Sequence, residues 1–153
     1  MKVRTSTLAL AAFVLIAQYA SASGTDQEEI NKKIVMDFYD KAINQKDFAA
    51  ASAHLGDKYI QHNPLAADGP EGLKAFLEFA KTNLATYKTE FKQVFADGDY
   101  VIVHAHARAN PDDPADRGTA VMDIFRLENG KVVEHWDVAQ PVPEKANNNN
   151  GMF

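Results

Sequence analysis

Val121-Met122-Asp123-Ile124-Phe125-Arg126-Leu127-Glu128-Asn129-Gly130-Lys131-Val132-Val133-Glu134-His135-Trp136-Asp137 is the stretch that decides the fold. Apolar and polar residues alternate on both sides of Glu128-Asn129-Gly130-Lys131, and an Asn-Gly pair between such runs is a strong hairpin signal. Which side chains share a face depends on the turn, because a register slip of one residue sends every side chain to the opposite face. With Glu128-Asn129-Gly130 as a three-residue loop and Gly130 in a left-handed bulge, Leu127 opposes Lys131 and Asp123 opposes His135. Asp137 then lies diagonally across from Asp123, and Phe125, Leu127 and Val133 fill the same face. The other face carries Met122, Ile124, Arg126, Val132, Glu134 and Trp136. A two-residue turn would put Asp123 beside Trp136 and separate it from Asp137. The three-residue form is preferred, because it groups Arg126 with Glu134 on one face.

On that reading, two carboxylates and an imidazole sit among apolar side chains. Burial and like charge raise a carboxylate pKa, and a neighbouring cation lowers it. Such a cluster can hold one group as a base and another as an acid near neutral pH. Taken singly, either aspartate is as well explained as a solvated strand residue. Together with His135 they are the candidate catalytic groups.

Outward from the hairpin, Tyr87 to Phe95 and Tyr100 to Arg108 read as strands joined at Ala96-Asp97-Gly98-Asp99. Thr119 to Leu127 and Val132 to Gln140 are the arms of the hairpin itself. Asn110-Pro111-Asp112-Asp113-Pro114-Ala115-Asp116 is a polar loop long enough to cover a cavity mouth. Ahead of the strands the period is helical. Thr25-Asp26-Gln27-Glu28 has the form of a capping box, and Ile30, Ile34, Val35, Phe38, Tyr39, Ala42 and Ile43 keep one apolar face behind it. A second helix is predicted from Asp47, its cap, to about Leu55. A third opens at Gly69-Pro70-Glu71 with Leu73, Phe76, Leu77 and Ala80 on one face. Helices first and antiparallel strands afterwards give the α+β class, with the helices on one side of a sheet.

The chain opens on Met1-Lys2-Val3-Arg4, runs apolar from Leu8 to Ala17 and reaches Ala20-Ser21-Ala22. A charged start, a short apolar core and an A-x-A exit read as a secretory signal peptide over residues 1–22, with a periplasmic or secreted destination. The apolar run is too short for a spanning helix, so no membrane partner is expected once it is cleaved. Residues 23–143 form one domain and 144–153 an Asn-rich, flexible tail whose Met152-Phe153 end is free to dock. The net charge is −5, and losing Lys2 and Arg4 with the leader makes it −7. With no basic stripe, nucleic acid is not an expected partner. The chain has no cysteine, which excludes disulfides, zinc-thiolate sites and thiol nucleophiles. It also lacks a Gly-rich phosphate loop.

The hairpin resembles the closing hairpin of the SnoaL-like proteins, in the nuclear-transport-factor-two-like superfamily. The resemblance extends over the chain behind the leader: the opening helix, Tyr59-Ile60-Gln61-His62-Asn63-Pro64, the Glu71-Gly72-Leu73 helix and the strands. It implies a curved antiparallel sheet wrapped round helices to form a cone with an internal pocket, often a homodimer through the sheet. The family's polyketide cyclases use an aspartate matching Asp137 as acid/base in an intramolecular aldol closure. Their partner position on the preceding strand is a histidine, where this chain has Asp123, so the exact cyclase chemistry does not carry over.

The resulting expectation is an exported, cofactor-independent acid/base enzyme on a small apolar carbonyl compound, of the aldol-closure or isomerase type. Asp137 would remove a proton next to the carbonyl, and Asp123, kept protonated, or His135 would donate to the forming enolate. His62, which the resemblance places at the cavity rim, would orient the substrate. Phe125, Phe38 and Trp136 are the candidate substrate-binding walls. No metal ligands are assigned; the alternative is a convergence of His62, His104 or His106, Asp123 and His135 on zinc or iron. His104 and His106 lie two apart on one strand, opposite the apolar face of Val101, Val103, Ala105 and Ala107, and are expected to face solvent or a dimer partner. Two other functions compete: a non-catalytic pocket binding an apolar molecule in the cell envelope, and an assembly module using the outer sheet face and the tail.

Overall fold

The computed structural model describes residues 26–153; the signal peptide read at residues 1–22 and the cap Thr25 lie outside them. Helix α1 (Asp26–Tyr39) is prolonged by one π-helical turn, Asp40–Asn44, and followed by the short α2 (Phe48–Ser52). Strand β1 (Leu55–Gln61) leads to α3 (Gly69–Asn83), and then come β2 (Lys88–Asp97), β3 (Tyr100–Arg108), β4 (Thr119–Glu128) and β5 (Lys131–Pro141). The five strands form one sheet in the order β1-β5-β4-β3-β2. Bulges in β2 at Lys92 and near the β4–β5 turn increase its twist and curve it around the helices.

Helix α1 packs on the concave face through Val35, Phe38, Tyr39 and Ala42. Ile30, expected on that face, is 47% exposed, and the buried residue of the first turns is Asn31. Its amide has a reason to be inside. Asn31 Nδ2 donates to the Gly98 carbonyl at 3.1 Å and its oxygen accepts from Gln27, while the Gly98 amide donates to Glu28. The start of α1 is thereby pinned to the β2–β3 turn. Asp47 caps α2 as predicted, accepting from the Ala50 amide, but the helix stops at Ser52. Helix α3 starts at Gly69 with Pro70 in its first turn and buries Leu73, Leu77 and Ala80.

Two features of the sheet differ from the sequence reading. Leu55 ends no helix; it begins β1, which lies parallel to β5 while every other pairing is antiparallel. Leu-Gly-Asp-Lys-Tyr-Ile-Gln carries little period-2 signal, and its place in the sheet depends on a partner some 75 residues away, which local pattern cannot supply. The hairpin turn also has two residues: Glu128 pairs with Lys131, and Asn129 and Gly130 both have positive φ, 50° and 71°. The extra residue sits one step inside β5, where Arg126 faces Glu134 but Leu127 faces Val132, leaving Val133 as a bulge. Val132 and Val133 are therefore both buried. The bulge restores the predicted sharing of a face and moves the register by two, so Asp123 faces Asp137 directly and Phe125 faces His135.

On β3, Val101, Val103, Ala105 and Ala107 are buried against the helices, and His104 and His106 lie on the outer face as expected. There they meet the chain's own C-terminus: the Phe153 ring lies 5.5 Å from the His104 ring and 4.3 Å from that of His106. The loop over 110–116 does not reach the cavity. Asp116 gathers it up, accepting from the amides of Asn110 and Gly118, and Arg108 holds the Pro111 carbonyl.

Candidate active site

Between the helices and the concave face of the sheet lies a cavity of about 330 Å³, at the small end of pockets that hold organic ligands. Apart from the Tyr39 hydroxyl its helix wall is apolar, with Phe38, Ala42 and Ile43 from the α1 end and Leu73 and Phe76 from α3. Its carboxyl, imidazole and amide groups sit on the sheet wall: Gln61 from β1, Asp123 from β4, and His135 and Asp137 from β5, with Asn63 just beyond β1. Among the described residues, no lysine or arginine lines it.

Asp123 is 3% exposed and His135 8%. His135 Nε2 lies 3.0 Å from Asp123 Oδ1, and the Tyr39 hydroxyl donates to Asp123 Oδ2 at 3.2 Å. The other imidazole nitrogen, Nδ1, lies 2.9 Å from Gln61 Oε1. That oxygen also accepts from the Asn63 backbone amide at 3.0 Å. A backbone N–H can only donate, so the oxygen of Gln61 faces both groups and Nδ1 carries a hydrogen. Nε2 of a neutral His135 is then bare, and the contact with Asp123 needs one proton held between carboxyl and imidazole. Burial pushes the Asp123 carboxyl up and the hydrogen bond to His135 pulls it down, with a net rise. Burial, aided by the charge of Asp123, also pushes the Tyr39 and Tyr59 phenols up, so both stay protonated.

Asp137 is the more accessible carboxylate. Asn63 Nδ2 spans its two oxygens at 2.8 and 2.9 Å. The Leu65 amide holds the Asn63 oxygen at 2.8 Å, which fixes the side chain with its NH₂ toward Asp137. Like charges directly opposite on a sheet are destabilising, and here two carboxyl groups face each other on the buried side. The arrangement is tolerated because one carboxyl shares a proton with an imidazole and the other is clamped by an amide. A base, a proton-bearing pair and an apolar chamber are the parts needed to move a proton on an organic molecule.

Of the residues singled out from sequence, Asp123, His135, Asp137, Phe125 and Phe38 come together around this cavity, with the Phe125 and His135 rings 4.6 Å apart. His62 and Trp136 do not. Residues alternate across the sheet, so Gln61 and Asn63 point in and His62 points out, where its ring stacks on Trp136 at 4.5 Å and bonds Glu134 at 2.9 Å. Trp136 is outside for the same reason, between His135 and Asp137. Sequence reading passed over Gln61, Asn63, Tyr39 and Tyr59. Strand parity through Tyr59-Ile60-Gln61-His62-Asn63 would have found all but Tyr39, had the segment been read as a strand.

Asp123, His135 and Asp137 each offer an atom within 4.8 Å of the others, a spacing that three metal ligands adopt. The histidines of the alternative metal set, His62, His104 and His106, lie on the outer face and cannot join them. The Asn63 amide directs its N–H groups at the Asp137 oxygens a cation would need, so the donor set fits proton transfer better than coordination.

A family profile described as SnoaL-like domain matches residues 35–135. Solved structures share the fold at low identity. A protein of Jannaschia sp. CCS1, provisionally named a SnoaL-like polyketide cyclase, superposes with a TM-score of 0.63 at 20% identity over 78% of this chain and 91% of its own. An LEH-like epoxide hydrolase of M. tuberculosis gives 0.61 at 18% identity, over 74% and 85%. Bal32a, from a soil-derived mobile gene cassette, gives 0.63 at 20%, over 74% and 92%. No curated protein sequence matches the chain.

Proposed function

The chain belongs to the SnoaL-like domain family, and we propose that its cavity performs cofactor-independent acid/base chemistry on a small carbonyl compound, of the aldol-closure or isomerase type. The observation that carries this is the facing of Asp137 and the proton-sharing Asp123–His135 pair across β4 and β5, within one apolar chamber. The separation suits an enolising substrate, with the C–H beside the carbonyl at Asp137 and the carbonyl oxygen at the pair.

Asp137, clamped by Asn63, takes the proton from the carbon next to the carbonyl. The electron pair left behind moves onto the oxygen as an enolate, which takes the proton held between Asp123 and His135. For isomerisation, Asp137 returns its proton to a different carbon and the oxygen returns the other to the pair. For aldol closure, the enol carbon attacks a second carbonyl in the same molecule: the first carbonyl re-forms as its oxygen returns a proton to the pair, and the new alkoxide takes the proton held by Asp137. The rings of Phe38 and Phe125 hold the apolar body. From the signal-peptide pattern at 1–22 we place the reaction outside the cytoplasm, and from the family resemblance we propose that two copies pair through the outer sheet face, where Met122 and Ile124 are exposed.

Exchange of α-protons of a ketone panel into deuterated water tests the chemistry. The native protein should catalyse exchange, and Asp137→Asn should lower the rate by about 10²–10⁴-fold, as for loss of a general base. No exchange above buffer across the panel would overturn the enolisation reading. Because one structural neighbour is named an epoxide hydrolase, an epoxide arm in the same panel separates hydration from enolisation.

A further inference from the structure

His62 has no place in the cavity, yet its neighbours on both sides do. Gln61 holds Nδ1 of His135 at 2.9 Å, and Asn63 holds both oxygens of Asp137. The His62 side chain, on the opposite face, bonds Glu134 Oε1 at 2.9 Å and lies flat on the Trp136 ring, with 4° between the planes. Glu134 and Trp136 are in turn the neighbours of His135. The two segments are thus joined on both faces of the sheet, by inward contacts that orient the acid/base groups and outward contacts made by one imidazole. The His62 backbone amide adds a bond to the His135 carbonyl at 2.9 Å.

The end of β1 needs such a fastening. The β1–β5 register shifts between Leu55 and Ile60, and pairing resumes only at Ile60 and Gln61. Beyond Gln61 the chain leaves the sheet toward Leu65, which is 94% exposed. Asn63 therefore stands on a departing loop and yet must hold Asp137 to within tenths of an ångström. Glu134 is a rigid anchor for this purpose: its second oxygen accepts from Arg126 Nε at 2.7 Å, and Arg126 also bonds Glu128. Hydrogen bonds from His62 and Arg126 hold its carboxyl below the usual range, so it stays an acceptor.

We propose that His62 is a positioning residue: from the outer face it fixes the backbone on which Gln61 sets the His135 tautomer and Asn63 orients Asp137. This rests on the acid/base reading of the site for its catalytic consequence, but its structural content can be read without a substrate. Nitrogen-15 NMR of the imidazoles reports which ring nitrogen carries the proton. In the native protein His135 should carry its hydrogen at Nδ1, where the Gln61 oxygen accepts it.

His62→Ala should mix the two His135 tautomers. It should also lower the exchange rate about 10–100-fold through kcat with KM little changed, the scale of a misplacement far from the chemistry. His62→Gln, which can still reach Glu134, should recover most of both. If the alanine variant does not fold, His62→Phe, keeping the stack on Trp136 but losing the Glu134 bond, takes its place with the same expectation. A native His135 tautomer and native pH profile in these variants would overturn the proposal, whatever happens to the melting temperature. If native protein turns over no ketone, the acid/base reading fails, and the tautomer measurement still decides the role of His62.

Discussion

Replacing Asp123 by asparagine should make the protein more stable and less active. Asparagine keeps the shape, and both hydrogen bonds survive: its oxygen accepts from Tyr39, and its NH₂ donates to the bare Nε2 of His135. What disappears is an ionisable group, 3% exposed, directly facing Asp137. Exchanging a buried charged partner for a neutral, satisfied one is neutral to stabilising, here about 1 kcal/mol, or roughly 2–4 °C in Tm for a domain of this size. The gain depends on pH. Below the unfolded carboxyl value of about 3.9 both states of the native protein hold the proton. Because burial raises the folded value, the unfolded chain loses its proton first as pH rises, and native stability falls until the folded carboxyl titrates. The variant has no such loss, so its advantage should be small at pH 4 and widen toward pH 7. The mobile proton is gone too, and α-proton exchange should drop about 10²–10⁴-fold. Calorimetry between pH 4 and 8, run beside the exchange assay, measures both. A variant that melts below the native protein at pH 7, or that exchanges at the native rate, refutes the shared-proton account.

Two further outcomes test the framework around the site. Leu77 is fully buried where α3 meets the core, so Leu77→Ala should cost about 2–5 kcal/mol in urea unfolding; a cost below about 1 kcal/mol would show a looser core than this. Gly72 lies against the Ala67 carbonyl, with no room for a Cβ. Gly72→Ala should push the loop carrying Asn63 outward, costing about 1–3 kcal/mol and raising KM in the exchange assay, and an unchanged KM would uncouple the loop from the cavity.

Much of this was legible in the sequence, for reasons that differ between elements. The face of α1 and the alternation of β3 are local patterns, and each is written within a dozen residues. Asp123, His135 and Asp137 were found by parity, although the turn assumed was wrong. A three-residue loop and a two-residue turn with a bulge give the same faces, and only the register distinguishes them. Strand β1 was not legible, because its hydrogen bonds go to β5 and its own residues do not alternate cleanly. That one omission hid Gln61 and Asn63, and it left His62 at the cavity rim where the resemblance had placed it, although strand parity turns it outward. Tyr39 was read as core, which it is; its hydroxyl reaching Asp123 is a tertiary fact with no local signature. The facing carboxyls break the pairing preferences of a sheet, and such local conflicts tend to mark functional places.

The bulge at Val133 also makes one skipped pairing in β5 matter more than which residue is skipped. Everything beyond it, His135 and Asp137 inward, Glu134 and Trp136 outward, keeps its side only while Val133 is passed over in the pairing. Removing Val133 would leave a regular hairpin, with its Asn-Gly turn intact and every cavity residue still in the chain. Leu127 would still face Val132 and Arg126 would still face Glu134, so the reactive groups would stay inward; a strand that paired Val133 with Arg126 would instead turn them out to solvent and an indole into the chamber. The site is written in a reading frame set by the skipped residue, so deleting that valine spares what drawing it into the ladder would erase.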